Sequence, residues 1–560
     1  MAFKLFFLLM APFFVLSLSF FSLAFVDADS NSTSSSDSPE TICKSTQYPF
    51  FCKSVLPKYT RDVHDSGRFL IQRSSSRSLE FLKLLDKYLQ NPSSLSPTTI
   101  LALEDCQFLM ELNLDLLSSS IGSVNKTNAT LPDVEADDVQ TWLSAILTNQ
   151  QTCLDGLRET VSGSSVADEL SGTTSNDTML YSVSLALFRK GWVPRIRTWK
   201  PTRKHVTFRH GRLPFRMSNR TRAIYDSVTR RRLLQSVDDQ ITVTDIVTVS
   251  QDGSGNFTTI SAAIQAAPNN TKSTAGYFLI YVTAGVYEEY VTIDKTKSYL
   301  FMIGDGINQT IITGNRSVVA GWTTFNSATF AVIGRGFVAA GITFRNTAGA
   351  INQQAVAVRN DADTSTFYLC SFEGYQDTLY ARVLRQFYRE CDIYGTVDYI
   401  FGNAAAVFQN CNIYPRLALS GQFNTITAQG RTDPNQNTGT SIQNCTITAA
   451  ADLASSKLST PTFLGRPWKV YSLTVYMQNF MGSLIDPAGW HIWDGSSPVN
   501  TLYYAEYNNT GPGSNTSYRV TWPGYHVINA TVAANFTVST FLLGDAWLTQ
   551  TGVPYTGALL

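Results

Sequence analysis

The chain has 560 residues, and its 43 basic and 43 acidic side chains cancel. That length excludes one ordinary hydrophobic core and implies two or more units. The balance hides an asymmetry: residues 189–232 carry 15 Lys/Arg against the single acid Asp226, whereas residues 235–560 carry 16 basic and 21 acidic residues.

In chain order, the first segment is "MAFKLFFLLMAPFFVLSLSFFSLAFVDADS". One early lysine, a long apolar stretch and a small-residue cleavage candidate ending at Ala28 predict a secretory signal peptide over residues 1–28. The apolar run is also long enough for a signal anchor. Sequons at Asn125, Asn128, Asn176, Asn269 and Asn535 suit a glycosylated secreted product. So does the even cysteine count: Cys43, Cys52, Cys106 and Cys153, then Cys370, Cys391, Cys411 and Cys445. With no C-x-x-C pair, an even number on a secretory route favours disulfides over zinc. Spacing alone leaves the pairing open, with pairs inside each group of four the simplest arrangement.

Residues 40–188 read as helical. "RSLEFLKLLDKYLQ", "ILALEDCQFLMELNLDLLSSSI", "DVQTWLSAILTNQQTCLDGL" and "DTMLYSVSLALFRK" repeat apolar residues at three- and four-residue spacing. Several such helices joined by Ser/Asn/Pro-rich connections predict an all-α bundle. It holds no cluster of catalytic residue types, so a partner or regulator is expected. Residues 189–234 lose this period and become a basic linker ending "SVTRRRLLQ". A secreted chain seldom meets nucleic acid, so the expectation is a processing site at Arg230, Arg231 and Arg232 for a subtilisin-like protease, with no nucleic-acid partner.

From residue 241 the texture becomes β-rich, in short runs broken by Gly, Asn and Asp. "GITFRNTAG", "FYLCSFEG", "FYRECDIYG" and "VFQNCNIYP" follow one another at roughly 20 to 28 residues, a period that suggests stacked coils of a parallel β-helix. A β-sandwich is the structural alternative. Gln354, Asp377 and Asp398 lie 23 and 21 residues apart. At about one coil each, they are expected to stack on one face at about the 4.8 Å strand separation. Aromatic neighbours Tyr375, Tyr380, Tyr399 and Phe401 would line a groove around them.

Two close carboxylates do not both ionise cheaply, so one stays protonated while the other remains an anion. Such a pair supplies a proton donor and a nucleophile. Arg466 of "LGRPWKVY" can grip the anionic partner through two hydrogen bonds, and Trp468 offers a sugar-stacking face. No GxSxG elbow occurs, and beyond residue 240 the histidines are His491 and His526, far from these motifs. That argues against a Ser-His-Asp hydrolase. No ligand cluster suggests a metal, and no cofactor is expected. Glycosidic cleavage by an acid/base Asp pair is the competing chemistry.

"GYQDTLY", "DYIFGNA", "QAVAVR", "GVYEEY" and "LGRPW" together resemble the signature blocks of plant pectin methylesterases (pectinesterases), over residues 241–555. Residues 40–188 resemble the pectin methylesterase inhibitor domain that precedes the enzyme in the longer members. The resemblance implies an all-β right-handed parallel β-helix enzyme behind an all-α pro-domain. It implies hydrolysis of the C6 methyl esters of cell-wall homogalacturonan to carboxylates and methanol, in the wall, with methyl-esterified pectin as substrate and separate pectinesterase inhibitor proteins as further partners. Carried over by position, Asp398 is the nucleophile, Asp377 the proton donor and acid/base, Gln376 and Gln354 the oxyanion stabilisers, and Thr324, Gln354, Arg466 and Trp468 the substrate contacts. It also implies disulfides Cys43–Cys52, Cys106–Cys153, Cys370–Cys391 and Cys411–Cys445, and a pro-region that is autoinhibitory or controls secretion. An inhibitory module whose enzyme-like domain no longer turns over is a further reading, although no catalytic position is altered. The sequence departs from the family pattern at Tyr399, in "AGAINQQAVAVR" before and around Gln354, and in "AAGITF". These departures bear on substrate pattern and pH optimum.

Overall fold

The computed structural model describes residues 38–160, 163–195, 215–216, 223, 241–457, 460–495 and 498–560. The expected leader over residues 1–28, the basic processing site Arg230–Arg232 and most of the linker fall outside these residues. Among the described residues, no helix is long and apolar enough to cross a membrane.

The N-terminal part is a helical bundle whose four long helices are α1 (Val63–Leu89), α2 (Pro97–Val124), α3 (Asp133–Arg158) and α4 (Gly163–Trp192). Two of the starts carry a side-chain cap. The Asp62 side chain caps α1 by accepting from Asp65 N, and Ser96 caps α2 ahead of a proline at its first position. Cys43–Cys52 closes the two short helices before α1, and Cys106–Cys153 ties α2 to α3. Helix α3 is buried nearly all round. Val139, Leu143, Ile146 and Leu147 enter the bundle core, while Thr141, Ser144, Thr148 and Asn149 are buried and polar. A helix buried on an apolar and a polar face is one clamped between two bodies, because polar side chains leave water only for hydrogen-bond partners.

The second body is a coil of three parallel sheets of twelve, eight and seven strands. The seven-stranded sheet carries the site. Its strands are β1 (Val291–Ile293), β2 (Phe330–Val332), β3 (Val358–Asn360), β4 (Leu379–Ala381), β5 (Ile400–Gly402), β6 (Asn424–Gln429) and β7 (Thr462–Pro467). Every pairing is parallel and in register, with Val358 on Leu379, Leu379 on Ile400 and Ile400 on Thr427. Inside, aromatic side chains stack from coil to coil: Phe367 on Tyr388 and Tyr388 on Phe408, with ring centroids 5.4 and 4.4 Å apart. This is the expected parallel β-helix.

The C-terminal cysteines correct the expected pairing. Cys370, Cys391, Cys411 and Cys445 are free and buried, so neither Cys370–Cys391 nor Cys411–Cys445 forms. Each precedes a strand of the eight-stranded sheet at the same register. Each also follows a residue in the left-handed region, Leu369, Glu390, Asn410 or Asn444. In-register parallel strands hold equivalent Cβ atoms about 4.8 Å apart along parallel vectors, beyond the roughly 3.5–4.5 Å that a disulfide spans. The four thiols therefore form a ladder, which Asn479 continues by accepting from Cys445 N (2.8 Å). Burial pushes the Cys391 and Cys445 thiols well up. Alkylation of denatured, unreduced protein is expected to label Cys370, Cys391, Cys411 and Cys445, while the native protein resists. Peptide mass spectrometry checks this, and a disulfide-linked Cys370–Cys391 peptide would contradict it.

Candidate active site

Asp377 and Asp398 each stand two residues before a strand, β4 and β5, on adjacent coils. Their backbones are left-handed, with φ 61° and 53°. Aspartate tolerates this conformation better than most residues, and here the next coil holds it: Asp377 N donates to Val397 O (3.1 Å), and Asp398 N to Thr425 Oγ1 (2.9 Å). The register places Asp377, Asp398 and Thr425 in one column. Gln354 is offset from it, because Ala355 N donates to Gln376 O and Ala357 N to Thr378 O, so Val356 is the coil equivalent of Asp377. The expected three-residue stack is thus a two-aspartate column, with Gln354 reaching the same cavity from an adjacent position behind Gln353, itself at φ 59°.

Arg466, on β7, holds Asp398 with two hydrogen bonds, Nε to Oδ1 (2.8 Å) and Nη2 to Oδ2 (2.6 Å). Thr425 donates a third to Oδ1 (2.6 Å), and Trp493 covers the guanidinium at 4.2 Å. Asp377 has no such cation of its own. Burial, then the Asp398 carboxylate and Glu159, push its carboxyl well above the usual range against the weaker pull of Arg466. One carboxyl is thus fixed by a cation and the other favoured as an acid. Gln354 Oε1 is buried without a hydrogen-bond partner. Gln354, Gln376, Asp377, Asp398, Arg466 and Trp468 all line one cavity of about 160 Å³. The aromatic wall is Tyr380 stacked on Phe401 (4.1 Å), with Trp468 edge-on to Phe401 (6.1 Å).

The helical bundle closes this cavity: Ala102, Asp105, Thr152, Asp155, Gly156 and Glu159 complete its lining. Asp105 accepts from Thr323 Oγ1 (2.6 Å) and Asn326 Nδ2 (2.5 Å). Glu159 accepts from Thr324 Oγ1 (3.2 Å), so Thr324 meets the bundle at the cavity wall. Thr425 and Trp493 were missed by sequence reasoning. Thr425 lies 27 residues after Asp398, and following the coil period one step further would have found it. Nothing in the helical sequence marks Asp105 or Glu159, whose roles exist only through a contact between the two bodies.

A protein-family model described as Pectinesterase matches residues 246–545. One described as Plant invertase/pectin methylesterase inhibitor matches residues 37–187. The chain is 56% identical to the probable pectinesterase/pectinesterase inhibitor 20 of Arabidopsis thaliana over 99% of both chains. It is also 56% identical to the probable pectinesterase/pectinesterase inhibitor 7 of the same plant, over 98% of this chain and 100% of the relative. Among solved structures, pectin methylesterase from carrot is 49% identical with a TM-score of 0.55, over 58% of this chain and 100% of the carrot chain.

Arg466→Ala leaves a buried carboxylate unpaired and is expected to lower stability by about 3 kcal/mol. Removing Asp398 as well should restore part of the loss. Equilibrium unfolding of the two variants checks this.

Proposed function

Because the chain belongs to the pectinesterase family, whose members are carboxylic ester hydrolases, we propose that its Asp377/Asp398 column hydrolyses the methyl esters of pectin. The observation that carries this reading is the unequal treatment of the two aspartates, one clamped by Arg466 and the other raised as an acid. The Asp398 carboxylate attacks the C6 carbonyl carbon of a methylated galacturonate. The oxyanion that forms takes hydrogen bonds from the side-chain amides of Gln354 and Gln376. Asp377 gives its proton to the methoxy oxygen, methanol leaves, and an acyl–Asp398 anhydride remains. Asp377, now a carboxylate, takes a proton from water. The resulting hydroxide attacks the acyl carbon, regenerating the Asp398 carboxylate and releasing the galacturonic acid unit, which loses its proton to solvent.

The bundle acts as an inhibitor of its own enzyme, since Asp105, Asp155 and Glu159 stand in the cavity where substrate would lie. Cleavage in the basic linker, at Arg230–Arg232 by a subtilisin-like protease, frees the enzyme on its way to the wall. The leader over residues 1–28 directs that route.

The decisive experiment is methanol release from highly methylated pectin by residues 241–560, which contain the whole stretch matched by the Pectinesterase model, with polymer length followed in parallel. Methanol without shortening is expected. Asp398→Ala should abolish it, and Gln354→Ala should lower kcat about 100-fold. A folded parent that releases no methanol overturns the reading, and a shortened polymer would favour a glycosidase.

Docking of the bundle is expected to depend on pH. Burial lifts Asp105 to about 7, against hydrogen bonds from Thr323 and Asn326 and the charge of Arg359. Burial and Asp155 lift Glu159 to about 7, against Thr324 and Lys469. Separated and solvated, both return to about 4. The docked form therefore binds more protons, so docking is strongest below about pH 4, weakens as pH rises from there to about 7, and then levels off. Titration of the enzyme domain with the separate bundle at several pH values checks this. Tighter inhibition at pH 7 than at pH 5 would contradict it.

A further inference from the structure

We propose that Lys469, Arg382 and Arg385 form a row of carboxylate-binding positions leading away from the catalytic cavity, which hold unesterified galacturonate units once α3 has left. This rests on the esterase reading and adds which units of the polymer the enzyme selects.

Helix α3 carries five carboxylates, at Asp133, Glu135, Asp137, Asp138 and Asp155, against one cation, Arg158. Where its acids meet the β-helix they land on cations. Asp155 Oδ2 lies 2.7 Å from Lys469 Nζ. Arg385 donates to Asp137 Oδ2 (3.1 Å) and Asp138 Oδ1 (2.6 Å). Between these, Arg382 Nη1 donates to Asn149 Oδ1 (2.7 Å). Neutral contacts fill the intervals, among them Thr148 Oγ1 accepting from Asn403 Nδ2 (2.9 Å). At 1.5 Å per residue, Asp137 to Asp155 spans about 27 Å. α3 thus lies on the β-helix as an extended polyanion with hydrogen-bonding groups between its charges, which is also a description of a partly unesterified polyuronate. The row begins at the reaction centre, since Lys469 follows Trp468 in the cavity wall and its Nζ lies 5.0 Å from that ring.

The charge left behind makes the case. Without α3, Arg382 shares Asp361 with Arg359, and Arg385 shares Asp363 with Arg335. Each group sets two guanidiniums against one carboxylate. Arg382 Nη2 is buried with no hydrogen-bond partner even while α3 is docked. The row stands out within an enzyme part that is otherwise mildly acidic. A carboxylate matches a guanidinium or ammonium with charge and two acceptors, whereas a methyl ester offers no charge. The row therefore favours polymer whose units beyond the scissile one are already de-esterified.

The test uses residues 241–560, which hold the whole stretch matched by the Pectinesterase model, once a cooperative unfolding transition shows that they fold on their own. Calorimetry on an Asp398→Ala background, which cannot turn over the methylated ligand, gives Kd for unesterified and for fully methylated oligogalacturonate, and methanol release by the parent is measured separately. Lys469→Gln and Arg385→Gln are each expected to weaken the unesterified oligomer about tenfold relative to the methylated one, the worth of one charge-assisted hydrogen bond, and Lys469→Arg to restore it. Arg385 also holds Asp363, so its variant is judged only after its unfolding midpoint is shown to be retained. Lys469→Gln removes a cation without breaking any ion pair inside the β-helix and decides the matter if Arg385→Gln unfolds. Equal Kd values for parent and Lys469→Gln, or equal weakening of both oligomers, would overturn the proposal. A parent without methanol release would overturn the esterase reading instead, leaving the binding comparison valid.

Discussion

The molecule depends on the in-register parallel stacking of one coil on the next. A residue's neighbour along the axis is fixed by backbone hydrogen bonds at about 4.8 Å, so any side chain repeated at the coil period becomes a column. Phe367, Tyr388 and Phe408 make an aromatic column in the core, and four cysteines make a thiol column at a corner. Asp377, Asp398 and Thr425 make the polar column at the cavity. The same geometry brings two carboxyls close enough to perturb one another and keeps the ladder thiols too far apart in Cβ to cross-link.

Closeness alone would leave the two aspartates interchangeable. What separates them is asymmetric support: Arg466 and Thr425 reach Asp398 from the coils beyond it, while Asp377 looks toward the offset Gln354 and the bundle. Both aspartates occupy left-handed backbone just before their strands and line the cavity. The two-residue offset of Gln354 follows from the loop before β3, where Gln353 is also left-handed. It places an unpaired amide oxygen in the cavity wall instead of adding a third member to the column.

The β-helix, the helical bundle and the aspartate pair were legible in the sequence because each rests on a period: coil length for the β-helix and the carboxylates, three- and four-residue spacing for the helices. That Arg466 grips one of the two carboxylates was legible for another reason, the matching geometry of guanidinium and carboxylate, whereas its assignment to Asp398 came from the resemblance of the surrounding blocks. What was not legible depends on two bodies meeting. The acids at residues 105, 137, 138, 155 and 159 look like ordinary solvated charges on a helical surface, and only docking shows that they face Thr323, Arg385, Lys469 and Thr324. The thiol ladder was misread because cysteine parity on a secretory route counts residues, whereas pairing is decided by Cβ separation.

The bundle both covers the site and contributes to its chemistry while covering it. Burial and Glu159 help to hold the Asp377 proton, and both diminish when α3 departs, while the neighbouring Asp398 remains. The acid is therefore a stronger proton holder under the bundle than it would be in an open cleft. On the proposed reading, a polymer laid along the path of α3 would restore that dryness with its own bulk and, at Lys469 and Arg385, with its own carboxylates. On that reading bundle and substrate answer the same two demands, excluding water from Asp377 and neutralising the cations along the path of α3. Helix α3, with Asp137, Asp138 and Asp155 on cations of the β-helix, would then hold the site shut because it meets both without presenting an ester to Asp398.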